Sequence, residues 1–341
     1  MDVLSTILLI AHLLCVNVAA GGPILCVWLE LWRGDAVARP AAAYLGRMSL
    51  VALILGGALG MAMGWLLWTP DYRALWTGPL AYKLHWGAAE LVVSLALAVI
   101  YWLLVRRQGG TSRGARFGRG AVALLNGTNL LYHFPSLFVV AGKLAAAGVT
   151  SGETIRGAEF RRLAWTAEAP ALSIHVILAS VAVAGVALLG LALKWQRHDE
   201  PPADVARVAM WGSRWALGAS LAQLPVGLWT LAVLPAEMQA NLMGSHAWGT
   251  ALFVAALLAV FWLLRDLAGV ALGETTRALM IRSMTAMLVV VSLMTAMQQT
   301  ARPAPVSVSP RERSGARVLV PESARYDNAT SIGVETWPPR S

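Results

Sequence analysis

Eight apolar runs, each long enough to cross a bilayer, constrain this chain more than any other feature. They fall near residues 3–31, 48–69, 80–105, 121–142, 169–194, 208–234, 242–264 and 278–298. A transmembrane helix needs about 20 predominantly apolar residues. Inside hydrocarbon, only a helix or a closed barrel satisfies the backbone. The runs lack the period-2 alternation of a barrel strand. The sequence therefore predicts an all-α fold, a polytopic transmembrane bundle of about eight helices. Composition agrees: 13% of residues are charged, against about a quarter in a soluble domain.

The first run begins Met1-Asp2 and has no Lys or Arg before Arg33, so it lacks the basic start of a signal peptide. Its apolar character continues past Val18-Ala19-Ala20 to Leu31, and it is expected to remain as the first span. Lys and Arg in short loops set orientation. Arg33, Arg39 and Arg47 follow the first run, and Arg106, Arg107, Arg113, Arg116 and Arg119 follow the third without an acid. Asp71 with Arg73 and Glu237 mark opposite loops, and the loop after the fourth run is mixed. Both termini are then expected outside. The formal charge of +9 is this topological signal plus the tail, and implies no nucleic-acid partner.

Two regions follow: a transmembrane, haem-binding bundle over 1–299 and a tail over 300–341. The tail holds Pro303, Pro305, Pro310, Pro321, Pro338 and Pro339 among charged and small residues, and reads as a flexible external segment. Cys15 and Cys26 lack CxxC or CxxCH spacing, so neither covalent c-type haem nor structural zinc is indicated. The 15 tryptophans cluster near span ends, as interfacial anchors do.

The histidines carry the functional signal. His12, His85, His133, His175 and His246 lie within or at the edge of spans, and only His198 sits in a loop. Ionisable groups in a bilayer are costly and mark functional positions. With the N-terminus outside, all five fall in the outer half or the centre of the membrane. Haem iron accepts axial imidazole, and a bundle builds such sites from inward-facing side chains. Ligation falls first on His12 and His175, then on His246, then on His85 and His133. His175 with His246, and His12 with His85, share similar depths. The rival reading is a set of histidines that only hydrogen-bond helix to helix. Glu90 is the clearest deep acid, open to a role as a proton relay, a group beside a haem iron, or a helix–helix hydrogen bond. Asn126, Asn129, Gln223 and Lys83 read as packing or interfacial groups.

The order of these features resembles subunit I of the cytochrome bd quinol oxidases over about residues 1–195. His12-Leu13-Leu14 with Gly21-Gly22-Pro23 and Trp28-Leu29-Glu30 resembles that family's first helix, where an early histidine ligates a high-spin haem. Gly56-Gly57-Ala58-Leu59-Gly60-Met61 and Gly78-Pro79-Leu80-Ala81 resemble the second helix and the turn into the third. Gly127-Thr128-Asn129-Leu130 resembles the fourth. Ser173-Ile174-His175-Val176 through Ser180, with Ala184-Gly185, resembles the helix that ligates the low-spin haem b. The family's Gly-Arg-x-Pro-Trp motif is absent, and its long external quinol loop is reduced to Pro235–Asn241. Met243 or His246 stands where the low-spin haem's second ligand is expected.

The resemblance implies a b-type cytochrome subunit of a respiratory complex in a bacterial inner membrane, possessing two or three non-covalent haems b near the periplasmic face. A haem d-like high-spin group is an alternative for one of them. The partners implied are quinol or a periplasmic cytochrome c, companion membrane subunits and the lipid bilayer. Oxidoreductase activity of the bd-oxidase type, with Glu90 as a catalytic acid, is one reading. A non-oxidase cytochrome b relaying electrons between quinone and cytochrome c is a second, and a haem-free transporter or structural subunit a third.

Overall fold

A computed structural model describes residues 3–107, 112–149, 152–166 and 168–301. Beyond Ala301 the predicted tail lies outside the described residues. Among the described residues, eight long helices correspond one to one with the eight apolar runs: α1 (Val3–Trp28), α2 (Ala38–Leu66), α3 (Ala81–Arg106), α4 (Arg113–Ala146), α5 (Glu168–Arg197), α6 (Pro202–Val233), α7 (Ala247–Leu272) and α8 (Arg277–Ala301). The shortest, α8 with 25 residues, is about 38 Å long at 1.5 Å per residue, enough to span a ~30 Å hydrocarbon core. Seven qualify as membrane spans by length and composition together. The exception, α4, is the longest at 34 residues, but Asn126, Asn129 and His133 dilute its apolar stretch.

Local signals explain the boundaries. Thr69 and Ser112 cap their helices by accepting from Tyr72 N and Ala115 N, both at 3.2 Å. Pro70 and Pro202 open helices where the missing N–H costs nothing. Gly273 ends α7 in the left-handed conformation at φ +114°. Two wide helical turns depart from the α pattern, Leu29–Arg33 after α1 and Asn241–Ser245 before α7. The predicted seventh run began at 242, but Gly244 at φ +131° breaks the helix there, and α7 starts at Ala247. Between spans lie the five-residue helix Ala236–Ala240 and two longer short helices, Pro70–Thr77 and Gly157–Ala164. They hold Leu75, Trp76 and Phe160 against the end of α4.

Short connections make consecutive helices antiparallel. One face of the bundle therefore gathers the ends of α1, α3, α5 and α7 with the starts of α2, α4, α6 and α8. That face carries Arg33, Arg39, Arg106, Arg113, Arg197, Arg207 and Arg277. The central element is α1, which packs against α2, α4, α5 and α8.

The main core sits toward the Arg-rich face. Its fully buried large side chains include Leu25 and Leu29 of the α1 end, Leu45 of α2, Leu188 and Leu189 of α5, Val208 of α6, Leu267 of α7 and Met280 of α8. Small residues allow the close approaches. A Cβ on Gly185 would stand 2.6 Å from Gly212 O, and one on Gly212 would stand 2.5 Å from Gly185 O, so α5 and α6 touch backbone to backbone.

Candidate functional site

In the half of the bundle away from the Arg-rich face, α1, α2 and α6 are thinly packed, whereas the end of α4 is buried by the short helices. Residues 3–16 of α1 and 221–233 of α6 include none that are buried, and the stretch 57–66 of α2 has none either. Four of the five predicted histidines, and Glu90, lie on helices in this half or at its centre. Counting from the near helix end at 1.5 Å per residue, His85 lies about 6 Å deep, His175 about 10 Å, His12 and Glu90 about 14 Å, and His133 about 20 Å.

His12 is half-buried, and its Nδ1–H donates to Gly56 O of α2 at 2.9 Å. That bond fixes the tautomer and leaves the Nε2 lone pair for another partner, the arrangement typical of metal-ligating histidine. Glycines clear the space around the ring. A Cβ on Gly60 would stand 3.0 Å from His12 Cε1, while Gly57 and Gly64 face open space.

His175 sits one helix away on α5. Its Nδ1 is buried without a hydrogen-bond partner, while its backbone carbonyl accepts from Gln223 Nε2 of α6 at 3.2 Å. A buried, unpaired ring nitrogen is costly, and marks this imidazole as one that needs a further partner. The helices bearing His12 and His175 are locked together at Gly21 and Ser180. Ser180 Oγ donates to Asn17 Oδ1 at 2.8 Å.

His133 of α4 faces Glu90 of α3, Nδ1 to Oε1 at 2.9 Å. Asn129, one turn earlier, donates its Nδ2 to both Glu90 O at 3.0 Å and Ser94 Oγ at 2.8 Å. Glu90 and His133 thus form a carboxylate–imidazole pair braced from both helices. The sequence left Glu90 unpaired and read Asn129 as a packing group; the structure joins them. The signal was the spacing 90/94 and 129/133, which puts each pair on one helix face.

The other two histidines are placed differently. His85 is exposed, and its Nδ1–H donates to Ala81 O at 2.7 Å within its own helix, beside the Tyr82–Trp86 edge contact. His246 is exposed and caps α7, its Nδ1 accepting from Gly249 N at 3.0 Å. In that neutral tautomer Nε2 carries the proton, so the cap and ligation through Nε2 exclude each other. Met243 is 70% exposed in the broken turn before it. Among the described residues, no hydrogen bond joins His246 to His175.

Among the described residues no three His, Cys, Asp or Glu side chains converge as a metal-ion site. A haem needs no such cluster, because the macrocycle supplies the equatorial nitrogens and the protein only axial ligands. The residues present fit that demand: an imidazole pinned through one nitrogen, an imidazole with an orphaned nitrogen, and a glycine-lined open face.

No family model matches the chain, and no curated protein sequence does. A solved structure is similar: the bd oxidase from Geobacillus thermodenitrificans superposes with a TM-score of 0.69 over 88% of this chain and 85% of that chain, at 13% identity. At that identity the likeness is one of fold. The chain is a multi-pass helical membrane bundle with the bd-oxidase architecture.

Proposed function

We propose that this chain is the haem-binding membrane subunit of a bd-oxidase-like respiratory electron-transfer complex in a bacterial inner membrane. The observation that carries the reading is the coincidence of a thinly packed half-bundle with His12 and His175, two imidazoles each left with an uncommitted nitrogen. The fold shared with a bd oxidase supports it. By the positive-inside rule the Arg-rich face is cytoplasmic, which puts the histidines toward the periplasm.

His12, held by Gly56 O, and His175 would each hold a non-covalent haem b through its free ring nitrogen, with His133 and His85 as reserve candidates. His246 enters only by releasing its cap. Haem, when bound, supplies one-electron chemistry. The chain's own residues fix the imidazole tautomers and thin the protein around the rings, and the Glu90–His133 pair holds a proton between α3 and α4. Companion subunits cover the exposed outer helices. The short Pro235–Asn241 segment favours a periplasmic cytochrome c over quinol as donor, so a non-oxidase cytochrome b is the second reading.

The test is a dithionite-reduced minus oxidised spectrum of the purified protein, with pyridine haemochrome stoichiometry. Sharp α and Soret bands that His175→Ala or His12→Ala diminishes, and His246→Ala does not, are expected. Protein from haem-replete cells that shows no bands would end the proposal and return the haem-free transporter or structural reading. Oxygen uptake with quinol or reduced cytochrome c then separates oxidase from relay.

A further inference from the structure

A second polar system lies toward the Arg-rich face. Glu30, in the wide turn after α1, is only 4% exposed and Arg119 of α4 only 8%. They pair in bidentate fashion, Arg119 Nε to Oε1 and Nη2 to Oε2, both at 2.8 Å. Arg116 caps the same turn from outside, donating to Glu30 O at 2.7 Å and Leu31 O at 3.3 Å. Tyr101 of α3 donates its hydroxyl to Glu30 Oε1 at 3.4 Å from within.

Immediately behind Tyr101 is a small, partly closed cavity of about 10 Å³, where α1, α2, α3 and α4 meet. Its lining includes Cys26, Ser49, Ala98, Tyr101 and Asn126. Gly46 makes the site possible, since a Cβ there would lie 2.4 Å from the Tyr101 ring. Asn126 is 3% exposed, and its Oδ1 has no hydrogen-bond partner. A volume of about 10–15 Å³ holds one water, provided two or more polar atoms border it. Asn126 Oδ1 needs a donor, and the Tyr101 and Ser49 oxygens can accept.

We propose that one water molecule occupies this cavity, donating to Asn126 Oδ1, and that the Glu30–Arg119 pair is a plug that shuts it off from solvent at the Arg-rich face. The water completes a polar file: Glu30, Tyr101, water, Asn126, and one turn further Asn129 with Ser94. On α4 the members stand at 119, 126 and 129, and on α3 at 101 and 94, so each helix presents one stripe to the other. The bundle thus contains hydrated polar space without a leak.

Cys26 lines the cavity and is the built-in reporter, since its S–H stretch is visible in the infrared and shifts on deuteration. The experiment follows that band after transfer of the purified full chain, in a Cys15→Ala background, into D2O. The expected result is slow exchange. Replacing both plug residues (Glu30→Gln with Arg119→Met), which leaves no unpaired charge, accelerates exchange by about tenfold or more through the opened mouth. Adding Asn126→Leu, which fills the water site, restores slow exchange. Immediate exchange in the intact plug, or an unchanged rate without it, overturns the proposal. A high-resolution experimental map of the unsubstituted protein is the second arm: a water peak beside Asn126 Oδ1 supports it, and an empty cavity refutes it. Neither arm depends on haem being bound, so failure here leaves the cytochrome reading standing.

Discussion

Gly21 holds α1 against α5, and replacing it by alanine tests how closely these helices are specified. A Cβ at Gly21 would lie 2.0 Å from Ser180 O, 2.3 Å from Ser180 C and 3.0 Å from Val181 N. All three are backbone atoms, so no side-chain rotation relieves the clash. Ordinary contact begins near 3.4 Å, so the helices must part locally by about 1.4 Å (3.4 minus 2.0). A gap of 0.5–1 Å already forfeits about a quarter to a half of the dispersion well of each atom pair. Overpacking of this kind costs about 1–3 kcal/mol, and loosening the Ser180–Asn17 hydrogen bond adds about 0.6–1.7 kcal/mol. The sum is about 2–5 kcal/mol. Gly57, on α2, provides the matched control: a Cβ there meets nothing within 4 Å, and alanine improves helix propensity by up to about 1 kcal/mol. Thermal unfolding in detergent, followed by tryptophan fluorescence, should place Gly21→Ala well below the unsubstituted protein and Gly57→Ala at or above it. Equal midpoints for the two variants would refute the reasoning. Because α1 carries His12 and α5 carries His175, Gly21→Ala should also lower haem content.

Arg119→Ala strands the buried Glu30 carboxylate and should destabilise by about 3–5 kcal/mol, whereas Arg119→Met combined with Glu30→Gln should recover most of that loss, both read from the same melts. His246→Ala removes the α7 cap and should cost about 0.5–2 kcal/mol while leaving the haem spectrum intact; a spectral change would restore His246 as a ligand. Asn129→Leu breaks the bridge to Glu90 O and Ser94, and is expected to lower stability by about 0.6–1.7 kcal/mol. For orientation, Asp199→Cys should react with a membrane-impermeant maleimide only after cell lysis and Glu153→Cys in intact spheroplasts; the reverse pattern would invert the topology.

The spans were legible because a membrane helix announces itself by composition, and even α4 stayed recognisable through the clean stretch from Ala121 to Asn126 and from Leu137 onward. The break at Gly244 was not, because a glycine within an apolar run does not by itself say whether the helix continues. That difference moved His246 from inside a span to a cap. Arg119 read as a loop charge with its neighbours Arg113 and Arg116, and it is instead buried against Glu30. Nothing local could have shown this pairing, since the two are 89 residues apart in sequence. Trp28 likewise read as an interfacial anchor, whereas its ring packs edge-on against Trp211 and Trp215. Position along each helix was recoverable from sequence; azimuth around the helix, and with it each histidine's partners, was not, so the expected couples His175 with His246 and His12 with His85 are not what the hydrogen bonds join. His12 and His175 proved half-buried and His85 exposed because facing depends on which helices are neighbours.

The placement of the main core toward the Arg-rich face also sets a chronology. Leu25, Leu45, Leu188, Val208, Leu267 and Met280 can interlock as soon as the helices are in the bilayer, with nothing further required. On the opposite side, residues 3–16 of α1, 57–66 of α2 and 221–233 of α6 bury none of their side chains, so these segments can splay about that clasped base while Leu75, Trp76, Leu80 and Val140 hold the far end of α4 in a second cluster. The chain is therefore a pair of tongs gripped at the Arg-rich end, whose free tips are the far segments of α1, α2 and α6.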